Sequence, residues 1–309
     1  MLASLAARIA VISLIALPGA ASASPFDAGR IPADADGVGH LDMDALRQTS
    51  LHRLVWPKLN KSSNWNDVNV KLRPFLQTLV ATAQGVSFWV TDADTGAALI
   101  QVPDGRRIQA MLDRLPSRGQ VRVGGYVARK LDFSDAKGVT LGSSDETFAA
   151  VVGNLLIITG NQKSLARAID AASGRSKSLG ATRGVPDGAR ERGLFFFTAL
   201  NHKLLDHIKD AAQSTTLRIN MTSLTLQVGE VRGELRIRAK LTMATPQEAQ
   251  QLKSMAEGII ALTSMAGDKD AAEVGRFTRG LKFTATGKLL EVSLAMASAE
   301  LVKAIESSQ

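Results

Sequence analysis

Arg218, Arg236, Arg238 and Lys240 are the residues whose types and spacing speak most directly of binding chemistry. Arg236, Arg238 and Lys240 alternate with apolar residues, so on a strand their side chains share one face. Upstream, Leu217, Ile219 and Met221 alternate in one phase, and Leu224, Leu226 and Val228 in the other. A two-residue turn at Gly229-Glu230 pairs Val228 with Val231 and Leu224 with Leu235. The phase change then calls for one extra residue, a β-bulge at Thr222-Ser223, which pairs Met221 with Ile237 and Leu217 with Leu241. In this register Arg218 faces Lys240, Asn220 faces Arg238 and Thr222 faces Arg236. Like charges opposed across a sheet repel. A gathered cluster of this kind either binds an anion or splays into water. The partners it implies are an anionic envelope component (lipopolysaccharide, anionic phospholipid or teichoic acid) or an acidic protein. Nucleic acid is not expected, since no aromatic platform interleaves the cations.

Other constellations lead to weaker chemistry. Asp92 and Asp94 have the spacing that opens a calcium loop, but Ala97 and Pro103 stand where such a loop needs Gly and Glu. His202 and His207 lie five residues apart, about 500° around a helix, and so on different faces. His40-Leu41-Asp42 places two polar groups on one strand face, which a solvated edge explains. There is no P-loop, no G-x-S-x-G and no dinucleotide fingerprint. Gly124-Gly125 lies in a strand-like run and reads as a bulge or a close backbone contact. The segment Asp94-Thr95-Gly96-Ala97-Ala98-Leu99-Ile100 resembles the Asp-Thr-Gly loop of aspartic proteases, in which two aspartates share a proton and activate water. Ile157-Ile158-Thr159-Gly160 faintly resembles the later apolar-Gly segment of the retroviral type. That resemblance implies Asp94 as catalytic group and a dimer, because no second Asp-Thr-Gly exists. A hairpin loop explains the same residues.

The elements around these residues belong to an exported chain. Arg8 precedes the apolar run Ile9–Leu17, Pro18-Gly19 breaks it, and Ala21-Ser22-Ala23 reads as a cleavage site. Residues 1–23 are therefore expected to be a signal peptide cleaved after Ala23, leaving a periplasmic or secreted protein. A run of nine residues, eight of them apolar, falls short of the roughly 20 that span a bilayer, and no other stretch replaces it, so no transmembrane segment is expected after cleavage. Cysteine is absent among the 309 residues, which excludes disulfides, thiolate nucleophiles, Cys-ligated metals and a lipoprotein anchor. Lys and Arg total 37 against 29 Asp and Glu. At 21% charged and 45% hydrophobic residues the chain can bury a core without cross-links. No cofactor is called for.

Residues 175–192, within a stretch of five glycines and no aromatic residue, read as a linker or long loop. They separate a first repeat, 24–174, from a second, 193–309. The first reads as a short strand at 38–43, a helix capped by Asp44, and a helix over 67–84 that Pro74 kinks or delays. Strands at 86–91 and 97–102, a helix at 105–115 and a strand near 121–132 follow. A hairpin at 147–159 turns at Gly153-Asn154, and a helix at 162–173 is capped by Asn161. The second repeat reads as strand 194–200, helix 202–213 and the long hairpin. Thr245-Pro246-Gln247-Glu248 is a capping box that opens a helix with Leu252, Met255, Ile259 and Leu262 inward. Helix 269–280, strands 281–287 and 289–296 and helix 298–307 complete it. The expected fold class is α+β, with two tandem similar domains, each an antiparallel sheet with helices packed mainly on one face.

The segment "IPADADGVGHLDMDALRQTSL" resembles the opening of a broad group of exported bacterial proteins of unknown function. The likeness continues in "LLIITGNQKSLARAIDAASGRSKSL", "LFFFTALNHKL", "LTMATPQEAQQLKSMAEGIIAL" and "LKFTATGKLLEVSLAMASAELVKAI". It implies a two-repeat exported architecture, carries over no catalytic residue and leaves the function open. The expected role is non-catalytic binding through the basic sheet face. An aspartic-protease-like hydrolase using Asp94 and a protein-interaction scaffold are the alternatives.

Overall fold

The computed structural model describes residues 25–59, 73–91, 95–132, 146–190, 193–201, 204–205, 220–265 and 280–307, without the side chains of 57–59, 262–265 and 304–307. In chain order the elements are β1 (Gly37–Asp42), α1 (Met43–Arg47), α2 (Ser50–Leu59), α3 (Arg73–Thr82), β2 (Gly85–Val90), β3 (Gly96–Gln101) and α4 (Gly105–Leu112). Then come β4 (Ser117–Val123), β5 (Tyr126–Leu131), β6 (Thr147–Val152), β7 (Leu155–Thr159), α5 (Gln162–Ala172), α6 (Leu179–Thr182) and α7 (Asp187–Arg190). The second half holds β8 (Phe195–Ala199), β9 (Met221–Val231), β10 (Glu234–Met243), α8 (Pro246–Met265), β11 (Leu281–Thr286), β12 (Leu289–Ala297) and α9 (Ser298–Ser307). The chain is α+β, and the described strands form one 12-stranded antiparallel sheet in the order β11-β12-β10-β9-β8-β1-β2-β3-β7-β6-β5-β4.

The two halves therefore share a sheet instead of closing one each. The joint is β1 against β8, from Gly37 opposite Ala199 to Leu41 opposite Phe195. Both strands are short, β8 is mostly aromatic, and β1 is buried on both faces. Pairing them removes two edges that would otherwise leave backbone groups unmatched.

In the first half, helices cover both faces. On the front, Val38, Trp89, Leu99, Phe148 and Ile157 lie under α5, through Leu165 and Ile169, and under Leu179. On the back, Leu41, Val86, Ile100 and Leu156 meet Leu46, Phe75, Leu79, Ile108 and Leu112. The second half differs. Its back face is closed at one end by Leu204, Leu205 and Ala249. α8 packs on β10, β11 and β12, but Met255 is 40% and Ile259 58% exposed, so the expected inward stripe fails at these two positions. The last helix, α9, leans on α2 and β12. Among the described residues, the front of β9, β10, β12 and β11 carries no apolar cluster comparable to that under α5.

Local chemistry sets the element ends. Asp42, not Asp44, caps α1, accepting from Ala45 N at 2.8 Å. Asp44 is instead buried beside Arg47, which also donates to the Val80 and Ala83 carbonyls. The described part of α3 starts at Arg73, so Pro74 falls in its first turn, where a missing N–H costs nothing. Asn161 caps α5 as expected, and Thr245 and Glu248 cap each other at the start of α8. Gly124 and Gly125, at φ +54° and +87°, make the turn of the β4–β5 hairpin instead of a bulge. The described part of 175–192 packs against the rest of the chain. It forms α6 and α7, with Leu179 fully buried and its N–H bonded to Ile31 O at 2.8 Å.

Candidate functional site

The 221–243 hairpin positions the basic residues. Its turn is Arg232-Gly233, both at positive φ, and not Gly229-Glu230. A type I′-like turn suits the twist of the strands, and Gly233 fits its second position. Moving the turn moves every partner: Leu224 lies opposite Leu241, and Met221 opposite Met243. The bulge nevertheless stands where the phase change required it, with Thr222 the residue left over between the Ser223–Thr242 and Met221–Met243 pairs.

Arg236, Arg238 and Lys240 do share a face, the open front. Their partners on β9 are Gly229, Gln227 and Thr225, instead of Thr222, Asn220 and Arg218. Arg218 lies outside the described residues. So do Asp94, His202, His207, most of the helix expected at 202–213 and all but Gly280 of the helix expected at 269–280. Of the Asp-Thr-Gly segment, Gly96 opens β3 opposite Val90 and Thr91 N bonds Thr95 O at 2.9 Å, a hairpin connection.

One transverse row organises the front face. Lys282, Ser293, Arg238, Gln227, Phe196, His40 and Ser87 stand opposite one another on successive strands from β11 to β2. At two strand spacings, Lys282 and Arg238 are about 10 Å apart at the backbone. Beside this row runs another, Thr284, Glu291, Lys240, Thr225 and Thr198. The first row, from Lys282 to His40, floors a trough of about 370 Å³ lined by Arg236, Arg238, Lys282, Gln227, Ser293 and His40, with Gly188, Gly193, Gly229 and Gly280 contributing little but backbone. Its side wall is α7, which packs on β8 and β9.

Among the described residues, Glu291 and Glu234 temper the cations of this face. Arg238 Nε lies 3.2 Å from Glu291 Oε1, and Arg236 Nε 2.7 Å from Glu234 Oε1. Both arginines remain about half exposed, so these pairs are worth at most about 1 kcal/mol each. The positive excess makes the trough attractive to anions. At its inner end His40 is buried, with Nδ1 2.9 Å from Ser87 Oγ and the ring against Phe26 and Phe196. His52 belongs elsewhere: it is buried and stacked on Trp56, and burial, reinforced by the Arg47 charge, lowers its pKa.

Lys282, Gln227, Ser293 and Gly229 are site residues that the sequence reading missed. Lys282 and Thr284 alternate with Leu281, Phe283 and Ala285, which marks a polar face on that strand. Nothing in the sequence states that β12 lies between β11 and β10. Among the described residues no group of three or more His, Asp or Glu could hold a metal ion, and no helix is long and apolar enough to cross a membrane.

Neither a known protein family nor a curated protein matches the chain. Its fold is similar to that of solved structures of a protein designated TP0453. Crystal form III aligns over 92% of this chain and 99% of that one, with a TM-score of 0.54 at 10% identity. Crystal form IV gives 92%, 97%, 0.51 and 11% for the same quantities. At such identities the likeness concerns the fold alone.

Proposed function

We propose that this chain is an exported, non-catalytic protein of the cell envelope that binds anionic groups through the basic front face of its second half. The observation that carries the reading is the trough, where Arg236, Arg238 and Lys282 converge on one open, concave surface. The first half buries the same side of the sheet under α5, whereas the second leaves it polar and accessible. Residues 1–23 serve in this reading as the export signal, removed after Ala23. The halves are read as tandem repeats of one unit, 24–174 and 193–309 joined through 175–192. Their strand orders, β1-β2-β3-β7-β6 and β8-β9-β10-β12-β11, support this, the β4–β5 hairpin being an addition to the first.

The test is co-sedimentation of the purified chain with vesicles of phosphatidylcholine alone or with added phosphatidylglycerol, across a salt series. Binding should require the anionic lipid and fall as the screening length shrinks from about 10 Å at 0.1 M to about 3 Å at 1 M. Absence of binding at low salt overturns the reading for anionic lipid surfaces. A second reading, a protein-interaction scaffold, draws on the exposed Met255 and Ile259 of α8. It predicts salt-resistant association with a protein partner, weakened by Ile259→Lys.

A further inference from the structure

The trough carries more information than its charge. Gln227 sits in its floor between Arg238 and Phe196. Its amide nitrogen donates to Gly188 O at 3.3 Å, which fixes the amide's orientation. The other end of that amide, Oε1, is buried with no hydrogen-bond partner. A buried acceptor left without a donor is unfavourable and calls for a cause. The second feature is Gly229, opposite Arg236 near the turn end of the hairpin. A β carbon placed there would meet only Gly193 Cα, at 3.9 Å, so the space above it is open. Glycine inside a strand gives up packing and marks a place where another group comes close to the backbone. The volume, about 370 Å³, lies within the range of small-molecule sites.

We infer that the trough binds a hydroxylated anion of about monosaccharide size. Its phosphate or carboxylate lies against Arg236, Arg238 and Lys282, and one of its hydroxyls donates to Gln227 Oε1. Gly229 leaves the room that the ring occupies. Arginine and lysine supply the charge-assisted bonds, arginine with a planar fork that matches either head group. Gln227 supplies the selection, because a site with a buried acceptor disfavours ligands that bring no donor. This inference rests on the anion-binding reading of the front face and narrows it to a soluble ligand class.

The experiment is calorimetric titration of the purified chain with glucose 6-phosphate, glucuronate, glucose and sulfate at low ionic strength. At least one of the two anionic sugars should bind, and which one binds identifies the head group. Glucose, lacking charge, and sulfate, lacking a donor, should each bind at least tenfold more weakly. Gln227→Leu should weaken the anionic sugar about tenfold and leave sulfate unchanged. Gly229→Leu should abolish sugar binding with Gln227 in place; circular dichroism confirms that each variant folds. Equal affinity for sulfate and sugar, unchanged by Gln227→Leu, overturns the hydroxyl recognition while anion binding stands. Failure of every soluble anion, with salt-sensitive binding to anionic vesicles retained, overturns this inference alone. Failure of both overturns the inference and the reading beneath it.

Discussion

Glu230 holds α2 and α9 together, and removing it should show this in a pH-dependent way. The carboxylate stands near the turn of the second-half hairpin. Oε1 accepts from Ser50 N at 2.6 Å; Oε2 accepts from Leu51 N at 2.9 Å and from Ser298 Oγ at 2.8 Å. It thus caps α2 from the first half and ties the first residue of α9 to it, across about 180 residues of sequence. Losing a cap costs about 1 kcal/mol, and hydrogen bonds to a charged group contribute about 1.5–3 kcal/mol each. Solvent reaches part of this site, which keeps the total for Glu230→Ala at about 2–4 kcal/mol. Glu230→Gln keeps one acceptor oxygen and should cost about half of that. The pH dependence follows from the carboxyl's environment. Burial pushes its pKa up, but the bonds from Leu51, Ser298 and Ser50 together hold it below the ordinary glutamate value. The stability it contributes is therefore complete above that ordinary value and is lost as pH falls through the lower native one. Urea unfolding of wild type and Glu230→Ala at a series of pH values measures this. The gap between them should be full at pH 7 and shrink in acid. A gap under 0.5 kcal/mol at pH 7, or one that pH does not change, would refute the clamp.

Three further outcomes are expected. Arg47→Met should cost about 3–5 kcal/mol, because it strands the Asp44 carboxylate, 1% exposed, in the back core; the double variant with Asp44→Leu should recover most of the loss in the same unfolding assay. Arg232→Asn should raise stability by about 0.5–1 kcal/mol, since Arg232 holds φ +54° in a turn that favours Asn before Gly; a rise in Tm checks it. Leu235→Ala, at a side chain 2% exposed, should cost about 2–5 kcal/mol, whereas Ile259→Lys should stay within about 0.5 kcal/mol.

Features set by local chemistry could be read from the residues alone. The Thr245 capping box, the Asn161 cap and the Gly153 turn depend on a few neighbouring groups, and each lies where its motif puts it. The bulge at Thr222 was equally legible, because the change in alternation phase can be absorbed in one place only. The register was not. Gly229-Glu230 and Arg232-Gly233 are both plausible turns, and the choice depends on contacts the hairpin makes elsewhere. Glu230 is needed to cap α2, a role that a turn position would not allow. The same limit explains Asp44: its spacing suits a cap, but Asp42 performs it once Arg47 draws Asp44 into the core. The trough is a property of strand order. Arg236, Arg238 and Lys240 are visible as one face of one strand, whereas Lys282 and Gln227 join them only through β12 and β9. The expectation of separate sheets overlooked that β1 and β8 each lack a partner on one side until they meet.

The most direct test of binding at the basic face compares two charge reversals of equal size. Arg236→Glu with Arg238→Glu changes the trough; Arg106→Glu with Arg122→Glu changes exposed arginines in the first half. Both remove the same net charge. If the trough is the site, co-sedimentation with phosphatidylglycerol vesicles at low salt is lost in the first variant and kept in the second. Equal loss in the two would mean that net charge alone drew the protein to the surface, and the trough would not be a binding site.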